Sequence, residues 1–190
     1  MIGLTIGCAL ACAVLVVAEW RGRAILRIVA KLVASTALVI LGRHAFDLGH
    51  DPGRVQFARA IFAGLVLGAI GDACLLGAGK RWFVAGLVAF LFGHVAYVVG
   101  IWMIEPAGRW CGDAGWFAVV PIGAGLAVLG ALWPRLGALR LPVIAYVVTI
   151  SLMVIAAIAA ARGAALPAPN RCRLVVGASV FFGSDLAVAR

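Results

Sequence analysis

Residues 57–78 read FARAIFAGLVLGAIGDACLLGA. Beyond Arg59 the run is continuously apolar over the length a helix needs to cross a hydrocarbon core of about 30 Å, and it carries one acid, Asp72. It shows no alternation of period two, so it reads as a membrane helix and not as a barrel strand. A carboxylate at that depth is costly unless it faces a partner or a wet cavity, which makes an intramembrane acid a functional-site hypothesis. A second such acid, Asp185, stands in RLVVGASVFFGSDLAVA, residues 173–189.

The rest of the chain agrees about the solvent. Of its 190 residues 65% are hydrophobic and 12% charged, and the mean hydropathy of +1.15 lies far above that of a soluble domain. The formal net charge of +9 does not point to nucleic acid, because the Lys and Arg residues sit in short connections between apolar runs, where they act as topology signals. The expected fold is an all-α, polytopic transmembrane helical bundle forming a single domain over 1–190. Seven spans are expected, near 2–19, 28–45, 57–78, 82–104, 115–133, 141–161 and 173–189. Trp20, Trp82, Trp102, Trp110, Trp116 and Trp133 fall at or near their ends, as interfacial rings do.

The first span has no basic segment before it and Arg21, Arg23 and Arg27 after it, so it reads as a retained anchor with the N-terminus outside. One side then holds Arg21, Arg23, Arg27, Lys31, Lys80, Arg81, Arg135, Arg140 and Arg190, with Glu19. The other holds Arg43, Arg54, Arg59, Arg109, Arg162, Arg171 and Arg173, with Asp47, Asp51, Glu105 and Asp113. The more basic side is assigned to the cytoplasm.

On this topology Asp72 and Asp185 each lie about two thirds of the way along a span, at a similar level in the cytoplasmic half. Glu19, Lys31 and Tyr146 fall in the same half, and His94 and Tyr97 lie nearer the midplane. A shared polar pocket open to the cytoplasmic side is expected. Gly64, Gly68 and Asp72 recur at i, i+4, i+8, a small-residue stripe that turns Asp72 toward a neighbouring helix. His94 and Tyr97 share a face one turn after Phe90. Packing alone also explains glycines at this spacing, a satisfied core position explains a buried His94, and snorkelling explains Lys31 at a span end.

His44, His50, Asp47 and Asp51 form a loose outer cluster without the spacing of a metal site, and no metal or organic cofactor is expected. Cys8, Cys12 and Cys74 read as small apolar residues. Cys111 and Cys172 both fall on the outer side, where a disulfide between them is a hypothesis.

Three blocks carry a family resemblance: GAIGDACLL at 68–76, FLFGHVAY at 90–97 and GASVFFGSDLA at 177–187, with a weaker RIVAK at 27–31. In order and spacing the chain resembles the YhhN/TMEM86 family, the lysoplasmalogenases. The resemblance implies a polytopic hydrolase that cleaves the vinyl ether bond of a membrane lysolipid, giving a fatty aldehyde and a glycerophospho-alcohol. That chemistry needs an acid and a base, so with the depths read above Asp72 and Asp185 are expected as the acid/base pair, and His94, Tyr97, Lys31, Glu19 and Tyr146 as orienting or substrate-holding groups. Lys31 is placed to meet the lipid phosphate. The partners are the bilayer and its lysolipid, in a membrane of bacterial inner-membrane type; the oligomeric state stays open. The family pattern also leads one to expect an eighth span after the Ser-Asp block, where this chain stops at Arg190.

A proton-coupled transporter would also keep acids in the membrane, but it is expected to show internal repeats with broken helices in matching positions. An intramembrane aspartyl protease is disfavoured because the run AIGD at 69–72 departs from its GxGD motif, and Ser184 stands where Tyr would precede the second acid. A non-enzymatic membrane protein remains open at this stage.

Overall fold

The computed structural model describes residues 24–47, 52–163, 166 and 168–188. Every regular element among them is helical. The helices are α1 (Ala24–Asp47), α2 (Pro52–Cys74), α3 (Lys80–Ile104), α4 (Ala107–Ala114), α5 (Val119–Leu132), α6 (Arg140–Arg162) and α7 (Ala168–Val188). Short 3-10 turns cover Gly115–Ala118, Trp133–Arg135 and Gly137–Leu139. The prolines respect this plan: Pro52, Pro121, Pro142 and Pro169 stand in the first turns of α2, α5, α6 and α7, where a missing backbone N–H removes no intrahelical bond.

Four stretches among the described residues are long and apolar enough to cross a membrane: Val55–Cys74, Lys80–Ile104, Ala107–Arg135 and Gly137–Arg162. Large apolar side chains point outward, with Leu141 76% and Val119 68% exposed. Such a surface suits hydrocarbon and not water. The chain is an all-α integral membrane protein. The expected spans at 28–45 and 173–189 are the helices α1 and α7; the one at 2–19 lies outside the described residues.

The fold divides into two compact units, Met1–Gly93 and His94–Arg190. In the first, α1 packs along α2 closely enough that a methyl added at Gly42 would fall 2.5 Å from Leu65 Cδ1. The expected small-residue stripe is modified. Gly64 is buried, and a Cβ on Gly93 of α3 would come within 3.2 Å of its carbonyl oxygen. A Cβ on Gly68 meets nothing within 4 Å, whereas one on Gly71 would lie 2.8 Å from the Phe90 ring. The close approach therefore runs through Gly64, Gly71 and Gly93. α2 also ends sooner than its apolar run. Leu76 and Gly77 close tight turns on Ala73 and Cys74, and Gly79 takes φ 102, a conformation open to glycine. Asp72 consequently lies in the last turn of α2, nearer the helix end than two thirds of a span implies.

In the second unit α6 is the central element, packed against α4, α5 and α7. Ile150, Ser151, Met153, Val154, Ala156, Ala157, Ala159 and Ala160 are its buried residues. The alanines bring neighbouring backbones close, which is how helices associate where lipid supplies no hydrophobic drive. Ser151 Oγ donates to the Pro121 carbonyl at 3.3 Å, the kind of interhelical hydrogen bond that ties α6 to α5. α4 was expected as loop. It forms because Trp110 and Ala114, one turn apart, are both buried; Gly115, at φ 55, ends it with its N–H on Cys111 O.

Candidate functional site

Asp72 is half-buried. Ser35 of α1 donates its hydroxyl to Asp72 Oδ2 at 2.5 Å, the short end of the hydroxyl–carboxylate range. The expectation that Asp72 faces protein is thereby met, with α1 as the neighbour. Ser35 is a partner the sequence reading missed. Its signal was a small hydroxyl inside an apolar span, the residue type that bonds across membrane helices. An open apolar groove between α1 and α2 is lined by Thr36, Val39, Val66, Ala69, Ile70 and Ala73; Thr36 and Ala73 adjoin Ser35 and Asp72 in the chain. Lys31 lies on α1 four residues before Ser35. Its side chain, like the whole of Glu19, lies outside the described residues.

In the second unit three expected residues come together. His94 is 1% exposed, and its ring meets Tyr97 at 6.0 Å, Tyr146 at 5.3 Å and Phe181 at 5.5 Å between centroids. All three contacts are edge-to-face, the arrangement aromatic quadrupoles favour. Tyr97 is also buried and meets Phe181 at 5.9 Å. α3, α6 and α7 thus each contribute to one aromatic cluster around a buried imidazole. Phe181 was not singled out in the sequence; it lies four residues before Asp185 on α7, and that spacing was the available signal. Asp185 belongs to α7, but its side chain lies outside the described residues.

A separate group of charges ties α4 to its neighbours in the second unit. Glu105, counted among the acids of the outer side, is only 2% exposed at the junction of α3 and α4. Trp110 Nε1 donates to its carbonyl at 2.8 Å, and Arg109 Nε lies 3.6 Å from Glu105 Oε1 and 3.2 Å from Asp113 Oδ2. Arg162 Nε donates to the Asp113 carbonyl at 2.7 Å, so the end of α6 clamps α4. The indole of Trp110, expected at the membrane interface, is buried because it closes this corner; Trp82, Trp102, Trp116 and Trp133 are exposed. Cys111 and Cys172 are exposed free thiols on α4 and α7, so the disulfide considered from sequence is not formed. Among the described residues no three His, Cys, Asp or Glu are grouped to hold a metal ion; His50 and Asp51, and the side chains of His44 and Asp47, lie outside them.

A model of the YhhN family matches residues 26–190. The chain belongs to the YhhN family. The YhhN match takes in the three sequence blocks with Asp72, His94, Tyr97 and Asp185, as well as Lys31, Ser35 and Tyr146, while Glu19 precedes it. No curated protein and no solved structure matches the chain.

Proposed function

We propose that this YhhN protein is a membrane hydrolase that cleaves the vinyl ether bond of a lysoplasmalogen-type lysolipid, with Asp72 and Asp185 as its acid/base pair. The observation that carries the reading is an intramembrane carboxyl held by a hydroxyl from the neighbouring helix, Ser35 to Asp72. An acid kept at membrane depth and oriented by a second helix suits proton transfer to a lipid better than it suits packing alone.

The chemistry needs little else. A carboxylic acid delivers its proton to the alkene carbon remote from the ether oxygen, leaving an oxocarbenium-like centre on the adjacent carbon. Water adds there as a carboxylate accepts its proton, and the hemiacetal collapses to a fatty aldehyde and a glycerophospho-alcohol, with one water consumed overall. Two carboxyls divide the roles of acid and base, and the negative charge of one stabilises the cationic centre. No cofactor enters. In this reading the α1–α2 groove takes the hydrocarbon chain from the membrane, Lys31 meets the phosphate, and His94, Tyr97 and Tyr146 orient substrate, with Glu19 near the cytoplasmic rim. The protein sits in a bacterial-type cell membrane, N-terminus outside.

The test is aldehyde release from a lysoplasmalogen by the purified protein in detergent, beside Asp72→Asn and Asp185→Asn variants verified as folded by gel filtration. We expect losses of about a hundredfold or more in each variant, the scale of a missing acid or base. Absence of aldehyde from the wild type would overturn the hydrolase and favour the proton-coupled transporter, which predicts substrate uptake lost in the same variants.

A further inference from the structure

We propose that Ser35 is the positioning residue of Asp72, fixing the plane of its carboxyl for proton transfer. The reaction it serves is the hydrolysis proposed above, on which this inference rests; the pairing itself can be read without substrate. Four observations support it. The torsion that turns an Asp carboxyl is broad and weakly held by the side chain itself, so an external donor decides the orientation. Ser35 supplies that donor across 37 residues of sequence at 2.5 Å. A hydroxyl has one proton to donate, and a serine inside a helix commonly gives it to the carbonyl one turn earlier; Ser35 gives it to Asp72 instead. Both residues are half-buried, so the bond is partly shielded from competing solvent and holds its geometry better than in bulk water.

Fixing Oδ2 against α1 also fixes the position of the second carboxyl oxygen and hence the line along which a proton leaves or arrives. Proton transfer depends steeply on that alignment. Ser35 therefore affects turnover and not lipid capture, and the hydroxyl, more than the volume, is what matters. Threonine keeps the hydroxyl; alanine removes it; cysteine keeps the shape with a weak donor.

The experiment compares wild type with Ser35→Ala, Ser35→Cys and Ser35→Thr, each checked for monodispersity and thermal unfolding in detergent. On a lysoplasmalogen, Ser35→Ala and Ser35→Cys are expected to lower kcat about tenfold to a hundredfold with KM changed less than about threefold, and Ser35→Thr to restore most of the rate. Loss in all three alike, an effect confined to KM, or wild-type kcat in Ser35→Ala would overturn the inference. The substrate-free readout is labelling of Asp72 by a hydrophobic carbodiimide, followed by peptide mass spectrometry. Ser35→Ala and Ser35→Cys are expected to label at least about threefold faster, because Oδ2 loses the Ser35 donor, and Ser35→Thr at the wild-type rate. Should the wild type release no aldehyde while labelling still depends on the hydroxyl, the hydrolase fails and the pairing stands. Equal labelling in all four proteins removes Ser35 as the positioning residue, and Ser35→Cys keeps the test decisive if Ser35→Ala does not fold.

Discussion

Glu105 illustrates what a single residue contributes in this fold. In the sequence it is one acid among four on the expected outer side; in the structure its carboxylate is enclosed where α3, α4 and α6 meet. A methyl added at Gly163 would lie 2.6 Å from Glu105 Oε2 and 3.3 Å from the Ala159 carbonyl, so glycine at the end of α6 is what leaves room for the acid. Gly163→Ala is expected to destabilise the protein by about 1–3 kcal/mol, the usual cost of overpacking, seen as a lower Tm in detergent. Trp110→Phe removes the donor to the Glu105 carbonyl and leaves a buried acceptor unpaired, at a cost of about 1–3 kcal/mol. If both variants melt with the wild type, this corner contributes nothing to stability.

At the scale of the element, the helix contacts turn on which glycines face a neighbour. Gly93 lies against the Gly64 backbone and Leu67, and backbone cannot move aside as a side-chain tip can. Gly93→Leu is expected to force α2 and α3 apart and cost about 3 kcal/mol or more. Gly68→Ala, directed at open space, is expected to unfold within a degree or two of wild type or slightly above it, since alanine favours helix over glycine. Thermal melts of the two variants in one detergent make the comparison, and equal destabilisation would contradict the packing described for α2. α4 belongs to the same scale. Its sequence, AGRWCGDA, has too few apolar residues to read as a span, and the burial of Trp110 and Ala114 together with the Arg162 contact holds it as a helix.

At the scale of the whole molecule, the exposed thiols test both redox state and topology. Gel mobility is expected to be the same with and without reductant, because Cys111 and Cys172 are unpaired. With the N-terminus outside, a membrane-impermeant maleimide added to intact cells is expected to label Cys111 and Cys172 and to spare Cys74, which is half-buried in the last turn of α2. Labelling of Cys74 alone would invert the proposed orientation.

The sequence by itself determined the solvent, the helical class and the family, because each rests on local quantities: long unbroken apolar runs without period-two alternation, and three short blocks in fixed order. It also singled out Asp72, since a charge in such a run is conspicuous wherever the helix packs, and it brought His94, Tyr97 and Tyr146 forward by depth. Only the tertiary structure supplied Ser35 and Phe181, the burial of Glu105 and Trp110, the helix at 107–114 and the choice of Gly93 over Gly68 as a packing contact. Those depend on which face of one helix meets which face of another across tens of residues of chain. In an apolar sequence nearly every face looks alike, so hydropathy cannot choose among them; the fit of small residues and the few available hydrogen bonds do.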